Sequence, residues 1–140
     1  MTRQAIVHVQ LVVPDYDEAL AFYVGVLGFR VVEDVVQAEQ DKRWVVIEPP
    51  GAAGGASLVL GRATNDVQRA AIGAQTGGRV FLFLSTDDFA RDHAAMMAKG
   101  VRFVREPKTM DYGRVGVFSD PFGNLWDLVE FAPGHRLALS

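Results

Sequence analysis

No cysteine occurs anywhere in the sequence. That excludes disulfide scaffolds, Cys-ligated zinc, thiol nucleophiles and thiol redox chemistry. No apolar run approaches the roughly 18 residues that cross a bilayer, so no membrane partner is expected. Residues 1–6 hold no long apolar stretch, which speaks against a signal peptide. Nor is there an excess of positive charge. Fourteen Lys and Arg stand against 17 Asp and Glu, giving a net charge of −3 and a pI near 5.5. Nucleic-acid domains usually carry a basic patch, so no nucleic acid is expected as a partner. The expected location is cytoplasmic. What remains is a globular composition, 49% hydrophobic and 22% charged over 140 residues. A chain of this size buries about two thirds of its unfolded surface, enough for a core.

The chain reads as one unit said twice. Residues 5–13 are rich in β-branched and apolar side chains and predict a strand. Asp15 and Glu18 then stand three apart, as in a capping box with Asp in the Ser/Thr place. Leu20, Tyr23, Val24 and Leu27 follow one helix face, and Gly28 is the left-handed stop. Strands follow at 29–36, 44–47 and 56–60, with a turn at Gly51 to Gly55. A displacement of 72 residues superposes Asp15 on Asp87, Gly28 on Gly100, and 29–32 on 101–104. The second copy predicts a strand at 80–84 and a helix capped by Asp87 or Thr86 that runs to about Lys99. Strands follow at 101–104, 114–118 and 125–131. The expected fold class is α+β. Two βαβββ modules, 5–61 and 80–132, are joined by a linker at 62–79, with a short helix near 66–72. They form a single domain over 1–140. Each module would bury one sheet face on its helix, leaving the other faces to line a shared concave cleft.

Three segments carry a resemblance. The first is His8-Val-Gln-Leu-Val-Val-Pro-Asp15 with Ala21-Phe22-Tyr23 and Val26-Leu27-Gly28-Phe29. The second is Leu84-Ser85-Thr86-Asp87 leading to Lys99-Gly100-Val101. The third is Asp120-Pro121-Phe122-Gly123-Asn124-Leu125-Trp126-Asp127-Leu128. With these segments, residues 5–132 resemble the vicinal oxygen chelate superfamily of glyoxalase I, bleomycin-resistance proteins, extradiol dioxygenases and fosfomycin-resistance proteins. The resemblance implies a curved mixed sheet around a cleft, and a homodimer. It also implies four equivalent strand positions for metal ligands in the metal-dependent members. His8 falls on the first and Asp127 on the last. The second lands near Val59 and the third near Phe81 or Val80, neither of which can bind a metal. A catalytic divalent site needs about three protein ligands, so His8 and Asp127 are an incomplete set. No other cofactor is expected.

Strand alternation puts His8 and Gln10 on one face, with Val7, Val9, Leu11 and Val13 on the other, against the helix. His8 is read either as a ligand-binding or acid–base group, or as a hydrogen-bonded histidine paired with Asp127. Asp127 is read as a cleft carboxylate, structural or catalytic, since a lone acid in an apolar strand is costly unless paired or solvated. Glu130 falls opposite to Asp127. Trp44, Phe81, Phe83, Tyr112 and Trp126 are aromatic candidates for the cleft. Residues 108–113 are read either as an ordinary surface connection or as a polar loop able to close over the cleft, with Tyr112 and Arg114 as polar handles. Arg43 and Arg79 begin strands and are candidates to meet an anion. Residues 120–124 are read as a structural turn.

Three functions fit these residues. The leading one is a small-molecule binder with an aromatic-lined cleft. A second is a lyase, isomerase or dioxygenase using His8 and Asp127 for proton transfer or for a weakly held metal. A third, a ferredoxin-like monooxygenase or sensor module, fits the strand count less well.

Overall fold

A computed structural model of the chain describes residues 1–52 and 54–139. Ala53, inside the expected Gly51 to Gly55 turn, and Ser140 lie outside the described residues. The chain divides into two compact units, Met1–Ile72 and Gly73–Ser140. Among the described residues no helix is long and apolar enough to cross a membrane.

Unit 1 runs β1 (His8–Val13), α1 (Tyr16–Tyr23), β2 (Arg30–Gln37), a 3-10 turn (Ala38–Gln40), β3 (Lys42–Glu48), β4 (Ser57–Arg62) and α2 (Asp66–Ala71). Its sheet order is β1-β4-β3-β2, with β1 and β4 parallel and the other pairs antiparallel. Asp15 caps α1, its carboxylate accepting from the Glu18 N–H at 2.9 Å. After α1 the chain closes at Gly28, whose φ of 78° a side chain would resist. There the Gly28 N–H bonds the Val24 carbonyl at 3.2 Å and the Phe29 N–H reaches back to the Tyr23 carbonyl at 2.8 Å, closing the helix end. Leu11, Val13, Tyr23, Val45, Ile47 and Leu60 are fully buried between sheet and helix.

Unit 2 repeats the plan: β5 (Val80–Ser85), α3 (Phe89–Ala98), β6 (Arg102–Met110), β7 (Gly113–Ser119) and β8 (Leu125–Phe131), in sheet order β5-β8-β7-β6. The two four-stranded mixed sheets establish the expected α+β, βαβββ-type architecture. The core of unit 2 holds Phe89, Met96, Phe118, Trp126 and Leu128. Gly116 makes this possible, because a Cβ there would lie 3.1 Å from Phe89 and 3.3 Å from Phe103.

Two local expectations are corrected. Asp88, not Asp87 or Thr86, caps α3, accepting from the Arg91 N–H at 3.0 Å. The competing polar groups are engaged elsewhere. Asp87 takes the Arg91 guanidinium at 2.6 Å, while Thr86 accepts from the Asp88 N–H and donates to Asp92. The connection at 108–113 is also shorter than expected. Strand β6 continues through Met110, and a two-residue turn, Asp111 and Tyr112, leads straight into β7. The β7 ladder extends β6 despite its polar residues, and Gly113 closes against the Glu130 carbonyl, where a Cβ would come within 2.2 Å. Residues 108–113 are thus strand and tight turn, an ordinary connection between β6 and β7.

Candidate functional site

Each sheet has one face on its helix and one turned away, and the pairing register decides which residues share the second face. In unit 1, Gln10 lies beside Val59, Val59 opposite Val46, and Glu33 opposite Val46. His8, one step along, is beside Ser57, and Trp44 is opposite Val35. The face away from α1 therefore carries His8, Gln10, Val59, Val46, Trp44 and Glu33. His8 and Trp44 meet edge to face, with ring centroids 5.7 Å apart and planes at 77°. The Trp44 indole N–H donates to Glu33 at 2.9 Å, a partner that the sequence did not signal. The Gln10 amide lies over Gly61, where a Cβ would come within 2.3 Å of its nitrogen. Arg30 and Glu48 form an ion pair on this same face.

Arg43 belongs to the opposite face and is not a free cation for a ligand. It donates to Asp34 at 3.1 and 2.6 Å and to Asp17 at 2.8 Å, with its guanidinium 5.3 Å from the Tyr16 ring centre. Those hydrogen bonds, Asp34 first, hold its charge more firmly than in free arginine.

In unit 2 one row crosses the whole sheet. Phe83 pairs with Asp127, Asp127 with Val117, and Val117 with Arg105. All four lie on the face away from α3, because the residues of opposite parity on β7, Arg114 and Gly116, lie against Phe89 of α3, and the neighbouring row holds the buried Trp126 and Phe118. Phe83 is 69% exposed, a large share for a phenylalanine in a sheet. Burial pushes the Asp127 carboxyl above its ordinary range, and the charge of Arg105 pulls the other way. Arg105 is a neighbour that the sequence reading missed.

The other expected site residues are placed differently. The register slips between Val80 and Leu82, and Phe81 is the extra residue of that bulge. Arg114 is on the α3 face, 4.8 Å over the Phe89 ring, so it does not join the Asp127 row. The reason is parity: Arg114 pairs with Glu130, whose carboxylate accepts from the Phe89 N–H at 2.7 Å. Trp126 is likewise core, stacked on Phe118 at 5.8 Å. Tyr112 closes the β6–β7 turn with its ring 6.5 Å from Phe131. Phe131 is four residues along β8 from Asp127, roughly 13 Å at the rise of a strand. His93 stacks on Phe89, and His135 stacks on Phe131.

A divalent metal does not fit these donors. The two remaining family positions are Val59, 6% exposed, and Phe81, and hydrocarbon cannot ligate. Among the described residues no three His, Asp or Glu are grouped to hold an ion.

The raised Asp127 pKa has a consequence for stability. The folded chain holds this proton more tightly than the unfolded one, so stability falls as pH rises from about 3.8 through the folded value. Asp127→Asn removes the titration. We expect Asp127→Asn to melt above the wild type at neutral pH and with it below about pH 3.8. Thermal scans across pH would read this, and a variant less stable at pH 7 would contradict it.

Comparison with known proteins places this geometry. Residues 5–128 match the model of the Glyoxalase/Bleomycin resistance protein/Dioxygenase superfamily. A protein of Shewanella frigidimarina (strain NCIMB 400) is 59% identical over 128 residues, which cover 91% of this chain and 94% of that protein. The crystal structure of UcmS2 superposes with a TM-score of 0.76 at 27% identity, covering 91% of this chain and 98% of that one. TnmS3, an antibiotic binding protein from Streptomyces sp. CB03234, superposes with a TM-score of 0.73 at 30% identity, covering 94% and 99%.

Proposed function

The chain belongs to the glyoxalase/bleomycin resistance protein/dioxygenase superfamily, and on that premise we propose that it binds a small aromatic molecule without a catalytic metal. The observation that carries this reading is the exposed Phe83 ring beside the half-buried Asp127, with apolar Val117 continuing the row. An aromatic ligand would cover the Phe83 ring and remove its apolar surface from water. A ligand hydroxyl would meet the Asp127 carboxyl, which as an acid donates and as a carboxylate accepts. The loss of donor chemistry at Val59 and Phe81 supports binding over metal catalysis. So does the likeness to TnmS3, described as an antibiotic binding protein.

A second reading, a metal-dependent lyase, isomerase or dioxygenase, is favoured by one observation. Burial raises the Asp127 pKa, the direction that favours a general acid. One experiment separates the two. The full chain is freed of metal with a chelator and titrated calorimetrically with naphthol, then again after adding Mn, Fe, Ni or Zn. We expect saturable binding with the same Kd throughout. Binding that is absent from the stripped chain and returns with a metal would overturn the metal-free reading and favour the second.

A further inference from the structure

Strand β6 is the edge of its sheet and carries Arg102, Arg105 and Lys108, spaced three apart. In a regular strand alternate residues share a face, so residues three apart point opposite ways. Here they do not. Arg102 pairs with Ser119, Arg105 with Val117 and Lys108 with Val115. Those β7 partners are two apart, and they oppose Leu125, Asp127 and Val129 on β8. Two register shifts, between Phe103 and Arg105 and between Arg105 and Lys108, each insert an extra residue and turn the period from two to three. Pro107, which has no N–H to give the ladder, lies inside the second. All three cations therefore stand on the face of Asp127, strung at roughly 7 Å intervals by the rise of β7.

These charges are not used up by the fold. All three residues are exposed, and among the described residues none of the three forms an ion pair. The matching row of unit 1 differs. Arg30 is held by Glu48, Glu33 takes the Trp44 indole, and the apolar Val35, opposite Trp44, holds the position that Lys108 holds in unit 2. The architecture thus does not require a bare cationic line. Like charges so close repel one another, and an anion among them relieves that repulsion. Asp127 opposes an anion, but burial already disfavours its charge. Glu106, within the second bulge, is the other acid on this stretch of strand.

We propose that the face of unit 2 away from α3 binds an aromatic molecule bearing an anionic group, a carboxylate, phosphate or sulfonate, with its ring on Phe83 and its charge at Arg105 between Arg102 and Lys108. This rests on the binding function proposed above and names its ligand class. Arg105 and Phe83 are three strand spacings apart, roughly 14 Å between backbones, and the long arginine side chain narrows that gap. Arginine presents a planar fork of donors that matches such oxyanions.

The test uses three probes of one ring on the full chain: naphthoate, neutral naphthol and cationic naphthylmethylamine, each titrated calorimetrically at low salt. Naphthoate is expected to bind about tenfold tighter than naphthol, as a charge-assisted contact provides. Naphthylmethylamine should bind most weakly. Arg105→Gln should remove most of the naphthoate preference and leave naphthol unchanged. Lys108→Gln should remove part of it, and added salt should shrink it. Equal binding of naphthoate and naphthol, or a preference that survives replacement of all three cations by Gln, would overturn this proposal alone. No binding by any of the probes would overturn the earlier reading as well.

Discussion

Asp120→Ala is expected to destabilise the protein by about 3–5 kcal/mol, through the loss of several buried hydrogen bonds at once. Asp120 is 3% exposed and gathers the turn that leads into β8. Its carboxylate accepts from the Phe122 N–H at 3.0 Å, the Asn124 N–H at 2.9 Å and the Asn124 side-chain amide at 2.9 Å, with the Trp126 indole at 3.4 Å. Removing the carboxylate strands those donors in a site closed to water, at about 1–3 kcal/mol each before relaxation. Domains are stable by only about 5–15 kcal/mol, so the loss is a large share. Strand β8 sets the Asp127 row, and naphthol binding should weaken along with stability. Urea unfolding reads the first effect. Asp120→Asn, which keeps one acceptor, should cost less. A loss under 1 kcal/mol for Asp120→Ala would refute this role.

Features set by local chemistry were legible in the sequence, and those set by strand pairing were not. Asp15 and Gly28 mark the ends of α1 and its closing turn because a cap and a left-handed stop depend on a few adjacent residues. The Asp120 turn was legible for the same reason. Asp127 could be placed opposite Glu130, since β8 alternates without a bulge and Glu130 reaches the Phe89 amide. By contrast, Thr86, Asp87 and Asp88 are three neighbouring capping candidates, and only the Arg91 and Asp92 side chains decide among them. Strand β6 reads as a loop after Val104 because its residues are charged and include Pro107, yet β7 holds it as strand to Met110. Its bulges have no signature without the partner strand, so the shared face of Arg102, Arg105 and Lys108 could not be read. Arg114, expected as a polar handle over the cleft, is turned by strand parity onto the α3 face instead.

Phe83→Ala carries the largest expected effect on function. The ring is 69% exposed, so its removal opens no core cavity and should leave stability within about 0.5 kcal/mol of wild type. Its value lies in the bound state. A ligand ring that covers it buries apolar surface on both partners and adds an aromatic pair, together about 2 kcal/mol. Removing it should weaken aromatic ligands about thirtyfold, at about 1.4 kcal/mol per factor of ten. Phe83→Leu, which restores apolar area without the ring, should recover only part of that. The most direct measurement is a calorimetric titration of the full chain with naphthol, wild type beside Phe83→Ala, with both melting temperatures recorded. The account predicts saturable binding to the wild type, a Kd about thirtyfold weaker in the variant, and matching melting temperatures. Equal affinity in two equally stable proteins would contradict it.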